Sequence, residues 1–144
     1  MQKGKKNELV RDRMSPSPIT IGSDESLEVA MHSLRKHNIR ELPVVEHGKL
    51  IGIITDRDLR EIAPSYPLFR SEQEIRATMQ SLKVAKAMTA DPMVVSPETP
   101  LVEAANILIT YRIGSLPVVQ DGKLVGIISV TDLLKAFVEE TKGR

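Results

Sequence analysis

The sequence predicts an α+β fold made of two copies of one small unit, each ordered strand, helix, strand, strand, helix. Three observations predict it. Sliding the chain by 74 positions lays residues 14–59 on residues 88–133 without a gap, and 18 of the 46 pairs are identical, where ordinary composition would match about three. Within each copy the apolar spacing switches from a helical to a strand period. A chain of 144 residues holds two such units, and a unit of about 60 residues buries too little surface to stand alone, so the two are expected to pack together.

Each element follows in order. Ile19–Ile21 and Met93–Val95 are short β-prone runs after Pro18 and Pro92, read as first strands. Leu27, Ala30, Met31 and Leu34 are spaced i, i+3, i+4, i+7, and Leu101, Ala104, Ala105 and Leu108 repeat that stripe, which predicts a helix in each copy. Thr99 followed by Pro100 reads as an N-cap with proline at the first helical position, and Ser23 or Asp24 is the matching cap in the first copy. Strands follow at 42–46 and 116–120, turns at His47-Gly48 and Asp121-Gly122, and returning strands at 49–55 and 123–129. A second helix starts near Asp56 and near Val130. Between the copies, Pro64 and Pro67 break the chain. Ser71 with Glu74 then forms a capping box ahead of Ile75, Met79 and Leu82, which predicts one inserted helix. Lys6–Arg13 is read as a further helix, with Lys83–Ala87 as its counterpart.

Composition excludes several chemistries. The chain has no cysteine, which removes disulfides, thiolate zinc sites and cysteine nucleophiles. Twenty basic against 19 acidic residues leave a net charge of +1, too balanced for a nucleic-acid face; Lys3, Lys5 and Lys6 read as a solvated tail. No apolar run reaches the roughly 20 residues of a membrane span, and no apolar signal segment is visible, so a cytoplasmic protein is expected. His32, His37 and His47 share no metal-binding spacing, and no Walker loop, nucleophile elbow or EF-hand loop occurs. No catalytic residue, metal site or enzyme activity is expected.

The Leu42-Pro43-Val44-Val45 and Leu116-Pro117-Val118-Val119 strands carry a resemblance, as do Gly52-Ile53-Ile54-Thr55-Asp56-Arg57-Asp58 and Gly126-Ile127-Ile128-Ser129-Val130-Thr131-Asp132. The chain resembles a tandem pair of CBS domains, a Bateman module. Its helical insert and lack of decoration are most similar to the stand-alone pairs of the acetoin-utilisation type. The resemblance implies two CBS modules at 14–62 and 84–140, related by a pseudo-twofold, with an N-terminal tail and helix at 1–13 and a connecting loop and helix at 63–83. It further implies a disc-like homodimer and two clefts between the modules that hold AMP, ADP, ATP or S-adenosylmethionine without chemistry on the ligand.

In each copy a hydroxyl residue ends a strand and a carboxylate stands three residues on: Thr55 and Asp58, Ser129 and Asp132. A carboxylate only accepts hydrogen bonds and can take both hydroxyls of a ribose cis-diol, and the resemblance gives Asp58 and Asp132 that role. The same pattern is also a capping box at a helix start. Two sets of binding residues are expected: Ile19, Thr20, Ile39, Arg40, Glu41, Leu42, Pro43, Thr55, Arg57 and Asp58, and Met93, Val94, Ile113, Gly114, Ser115, Leu116, Pro117, Ser129, Thr131 and Asp132. Ile19, Ile39, Met93 and Ile113 either sandwich an adenine or are plain core. Arg40 and Arg57 stand where the second copy has Gly114 and Thr131, so the first copy is expected to prefer a phosphorylated ligand. The resemblance also points phosphates to the centre of the pair, where an arginine of one copy can serve the other. The alternative for Arg57 is a solvated surface side chain.

The expected function is a non-catalytic sensor that binds an adenosine-containing small molecule and signals in trans to a protein target not named by the sequence, with neither nucleic acid nor membrane as partner. The competing expectation is an interaction module with empty clefts that drives homodimerisation.

Overall fold

The computed structural model describes residues 7–62 and 71–143. In chain order these form a 3-10 turn (Val10–Asp12), β1 (Ser15–Pro16), α1 (Leu27–Lys36), β2 (Glu41–Glu46), β3 (Lys49–Thr55), α2 (Asp56–Ile62), α3 (Glu72–Ser81), α4 (Val84–Ala87), β4 (Thr89–Ala90), α5 (Leu101–Tyr111), β5 (Ser115–Gln120), β6 (Lys123–Ser129) and α6 (Val130–Lys142). The expected α+β fold, its inserted helix and both hairpins are present. Both turns place their two central residues at positive φ (His47 51°, Gly48 81°, Asp121 53°, Gly122 79°), as a two-residue type I′ hairpin requires. Lys3, Lys5, Lys6, Pro64 and Pro67 lie outside the described residues.

The chain divides into two compact units whose limits differ from those of the repeat. One is Ile19–Pro92; the other joins the described residues up to Pro18 to those from Met93 onward. The segment leading into each copy therefore packs in the unit of the other copy. In the first unit Val84 N–H bonds to Glu25 C=O (2.8 Å), Ala85 N–H to Ser23 C=O (3.1 Å) and Leu27 N–H to Leu82 C=O (2.9 Å). In the second, 74 positions away, Val10 bonds to Thr99 (2.8 Å), Arg11 to Pro97 (3.0 Å) and Leu101 to Glu8 (2.9 Å) in the same way. Val84 and Val10 are fully buried in the two cores.

Each unit contributes three antiparallel strands. In the first, β3 pairs with β2 (Glu41 opposite Thr55) and with the short β4 (Gly52 opposite Ala90). In the second, β6 pairs with β5 (Ser115 opposite Ser129) and with β1 (Pro16 opposite Gly126). The helical stripes Leu27, Ala30, Leu34 and Ala104, Leu108 are buried against Leu42, Val44, Ile54 and Leu116, Val118, Ile128 respectively. Full burial of each Leu, Ile or Val among them contributes about 1.5–3 kcal/mol.

Three expectations need correction. Ile19–Ile21 and Met93–Val95 are not strands. Each contributes one parallel bridge, Ile21 to Val44 and Val95 to Val118. The physical reason is the proline. Ile21 N–H bonds to Pro43 C=O (3.0 Å) and Val45 N–H to Ile21 C=O (2.9 Å). The next rung would need a Pro43 N–H, which does not exist. Pro117 stops Val95 the same way. The helix caps also differ. Ser26 caps α1, its hydroxyl accepting from Val29 N–H, and Pro100 itself is the N-cap of α5. Thr99 Oγ1 instead accepts from Ser96 N–H (3.0 Å). Finally, the described part of Lys6–Arg13 is a 3-10 turn, not an α-helix; Asp12 holds it by accepting from Leu9 N–H (2.8 Å).

Candidate functional site

Each expected set of ligand residues falls within one unit: residues 19–58 in the first, 93–132 in the second. Strand pairing and helix starts gather them. Asn38 and Arg112 take left-handed conformations (φ 52° and 55°) and end α1 and α5. The next amides, Ile39 and Ile113, bond back to Leu34 and Leu108. The chain then turns so that Arg40 C=O accepts from Asp56 N–H (2.9 Å) and Gly114 C=O from Val130 N–H (3.0 Å). The approach to β2 or β5 thereby sits on the first amide of the helix that carries the carboxylate.

At that helix start the hydroxyl-carboxylate pair forms the capping arrangement in both copies. Asp58 Oδ2 accepts from Thr55 N–H (2.9 Å), and Thr55 Oγ1 accepts from Asp58 N–H (3.0 Å). Asp132 Oδ2 accepts from Ser129 N–H (2.8 Å) and from Ser129 Oγ (3.0 Å), and Ser129 Oγ accepts from Asp132 N–H (3.2 Å). These are reciprocal capping boxes. They use one oxygen of each carboxylate. Oδ1 of Asp58 and of Asp132 has no partner among the described residues.

Leu42, Pro43, Leu116, Pro117 and Ser115 are buried, so at these positions the backbone is what a ligand could reach. Ile19 and Met93 are 38% and 40% exposed, so neither is plain core; Ile39 and Ile113 are half-buried against the two core clusters. Because proline stops the bridge, the backbone groups of Ile19, Thr20, Met93 and Val94 have no hydrogen-bond partners among the described residues. Glu41 is half-buried and Thr131 exposed.

The arginines separate. Arg57 Nε lies 3.3 Å from Glu61 on the exposed side of α2, the ordinary surface pair. Arg40 is exposed and its guanidinium has no partner among the described residues. It also borders an open groove of about 470 Å³ in the first unit, walled by Met31, Leu34, Ile39, Leu59, Ile75 and Met79. The repeat does not disclose this groove, because one wall is α3, which has no counterpart in the second copy. Among the described residues no cluster of three or more His, Asp or Glu is placed to hold a metal ion, and no helix is long and apolar enough to cross a membrane.

The double capping box, the Leu-Pro-Val-Val edge and the 74-residue repeat define a pair of one module. The CBS domain description matches residues 10–65 and 84–139, and the chain belongs to the CBS-domain family. A CBS domain-containing protein of Dictyostelium discoideum is 40% identical over 134 residues, covering 91% of this chain and 92% of that one. The chain spans only 21% of an inosine-5'-monophosphate dehydrogenase of Korarchaeum cryptofilum, 36% identical over 116 residues. Among solved structures, CBSX2 in complex with AMP is 28% identical, with a TM-score of 0.79 over 93% of this chain and 98% of that one; the same protein is described from Arabidopsis thaliana. The CBS domain pair of MJ0100 in complex with 5'-methylthioadenosine and S-adenosyl-L-methionine is 32% identical, with a TM-score of 0.76 over 90% and 98%. A proposed acetoin utilization protein from Vibrio cholerae is 30% identical, with a TM-score of 0.78 over 93% of both chains.

Proposed function

We propose that this CBS pair is a non-catalytic regulatory module that binds an adenosine-containing ligand (AMP, ADP, ATP or S-adenosylmethionine) and signals its presence to a partner protein. The observation that carries the reading is the free Oδ1 on both Asp58 and Asp132. Each carboxylate is held in place by its cap through one oxygen and keeps acceptor capacity for a ribose diol through the other. The unpaired backbone at Ile19–Thr20 and Met93–Val94 supplies donors and acceptors for a base edge, with Ile39 and Ile113 as aliphatic surface. Arg40, not Arg57, is the residue suited to a phosphate. The solved pairs bound to AMP and to methylthioadenosine and S-adenosylmethionine support this ligand class.

Thermal shift against AMP, ADP, ATP, NAD and S-adenosylmethionine tests it. Replacing Asp58 or Asp132 with Asn keeps an acceptor for the strand-end amide but presents a donor to the ribose. Asp58→Asn and Asp132→Asn together are expected to retain most of the stability and lose the ligand shift, whereas the double alanine variant loses both. A ligand shift that survives the asparagine pair overturns the assignment. For the phosphate, AMP should bind more tightly than adenosine in wild type and lose that margin in Arg40→Ala; equal affinity throughout rejects the role of Arg40.

A further inference from the structure

The groove of about 470 Å³ in the first unit shares only Ile39 and Arg40 with the residues proposed above for adenosine. Asp56, Leu59 and Arg60 border it at i, i+3 and i+4 on α2. Asp58 stands about 200° round that helix from Asp56, so the groove and the proposed ribose anchor lie on different sides of α2. The apolar walls come from three helices: Met31 and Leu34 from α1, Leu59 from α2, Ile75 and Met79 from α3. Leu34, Leu59 and Met79 belong to the core below, while Ile75 is exposed. Small-molecule sites are concave, of roughly 300–1,000 Å³, with mostly apolar walls and a few polar groups that fix orientation. Two methionines in the wall add unbranched, polarizable surface that adapts to an aliphatic guest.

The rim is basic. Arg35, Arg40 and Arg60 border the groove against a single carboxylate, Asp56. Asp56 is taken by Arg60 at 2.9 Å. Arg35 is exposed, and its guanidinium has no partner among the described residues. It follows Met31 at i+4, so both share one face of α1. The internal repeat provides the control. Seventy-four positions on, Arg35, Arg40 and Arg60 become Ile109, Gly114 and Leu134, and α3 has no counterpart. The second copy keeps Leu108, Ile113 and Leu133 where the first has Leu34, Ile39 and Leu59. It therefore retains apolar residues of the wall and lacks both the arginines and the helix that closes the groove. The positive rim occurs only in the copy that carries α3.

We propose that the groove between α1, α2 and α3 is a second ligand site, which takes a small anionic amphiphile of the fatty-acid type. The aliphatic tail lies against Met31, Leu59, Ile75 and Met79, and the carboxylate meets Arg35. A guanidinium fork matches a carboxylate through two parallel hydrogen bonds, and Arg35 has its fork unused. A cationic head would face an uncompensated positive rim, and a neutral one would leave Arg35 without a partner. The apolar walls read the tail by its length. Neither Asp58 nor the free backbone edge at Ile19 takes part, so this site stands or falls separately from the adenosine reading.

Methionine-methyl NMR of the full chain, titrated with sodium decanoate, tests this. Met31 and Met79 report from the groove, Met14 and Met93 from the other unit. Decanoate is expected to move the Met31 and Met79 signals saturably and to leave Met14 and Met93 in place. Affinity should rise roughly tenfold from octanoate to decanoate, because two more methylenes are buried. Decyltrimethylammonium, with the same tail, should bind at least about tenfold more weakly, and Arg35→Glu should remove that margin. Ile75→Glu, at an exposed position of the wall, is expected to abolish binding with the helical circular dichroism unchanged. Equal affinity for the two head groups in wild type, equal movement of all these methionine signals, or binding that survives Ile75→Glu overturns the inference. So do Met31 and Met79 signals that ignore decanoate, whether they move with protein concentration, which gives the groove to a second copy, or stay fixed.

Discussion

At Gly52 an added Cβ would lie 2.6 Å from Met88 Sδ and 3.0 Å from Thr89 C=O; at Gly126 it would lie 2.7 Å from Met14 Sδ and 2.9 Å from Ser15 C=O. These glycines are matched across the repeat because the lead-in segment of one copy lies directly on the central strand of the other. Gly52→Ala and Gly126→Ala are expected to cost about 1–3 kcal/mol each by overpacking, read from urea midpoints. Polar residues break the symmetry elsewhere. Glu46 Oε2 accepts from Ser23 Oγ (2.7 Å) and Ser23 N–H (2.9 Å), which holds its carboxyl below the usual glutamate range. The second copy has Gln120 and Pro97 there. A carboxyl lowered on folding stabilises the protein at pH above its unfolded value, about 4.3, and loses that contribution as pH falls through its own lower value. Glu46→Gln is therefore expected to shallow the acid limb of a stability–pH curve below about pH 4.3, with little change in slope above it. Arg13 is the tie in the second unit. It bonds to Glu8 (2.6 Å) and to Glu139 on α6 (2.8 Å), and its own side chain is only 16% exposed.

The helices show where local reading succeeds and fails. The stripes of α1 and α5, the hairpin turns and the Ser71 cap of α3, whose hydroxyl accepts from Glu74 N–H (3.2 Å), were all legible from spacing and residue type. Ser71→Ala is expected to lower stability by about 1 kcal/mol, measured by thermal denaturation. The cap of α5 was not legible, because Pro100 makes no side-chain cap bond and the first helical amide, Leu101, bonds to the carbonyl of Glu8, in a segment distant in sequence. A cap supplied by another part of the chain leaves no local signature. The shortened first strands have the opposite status. Pro43 and Pro117 were in plain view, but their effect depends on a parallel partner that only folding brings alongside. Pro43→Ala restores the missing N–H and is expected to extend the bridge to Ile19. Residue 43 should then show slow amide exchange, and affinity for the proposed ligand should fall as the free edge closes.

For the whole molecule, the units and the repeats have different boundaries. The first unit needs residues 82–92 to close its sheet and core through Val84, Met88 and β4. A fragment covering 19–92 is therefore expected to unfold cooperatively in urea, while 14–62, the span of the first copy, should not; equal behaviour of the two would contradict the exchange. The repeat, the α+β class and the carboxylates Asp58 and Asp132 could be read from the sequence alone, because identity at a fixed offset, apolar period and residue chemistry are local properties of the chain. Tertiary structure decided the rest: which lead-in segment completes which unit, which cap comes from afar, which carboxylate oxygen stays free, and which helices wall the groove. Each of these depends on what lies across from a residue in space, and a hydrogen bond or a buried side chain is defined by that partner and not by its neighbours in sequence.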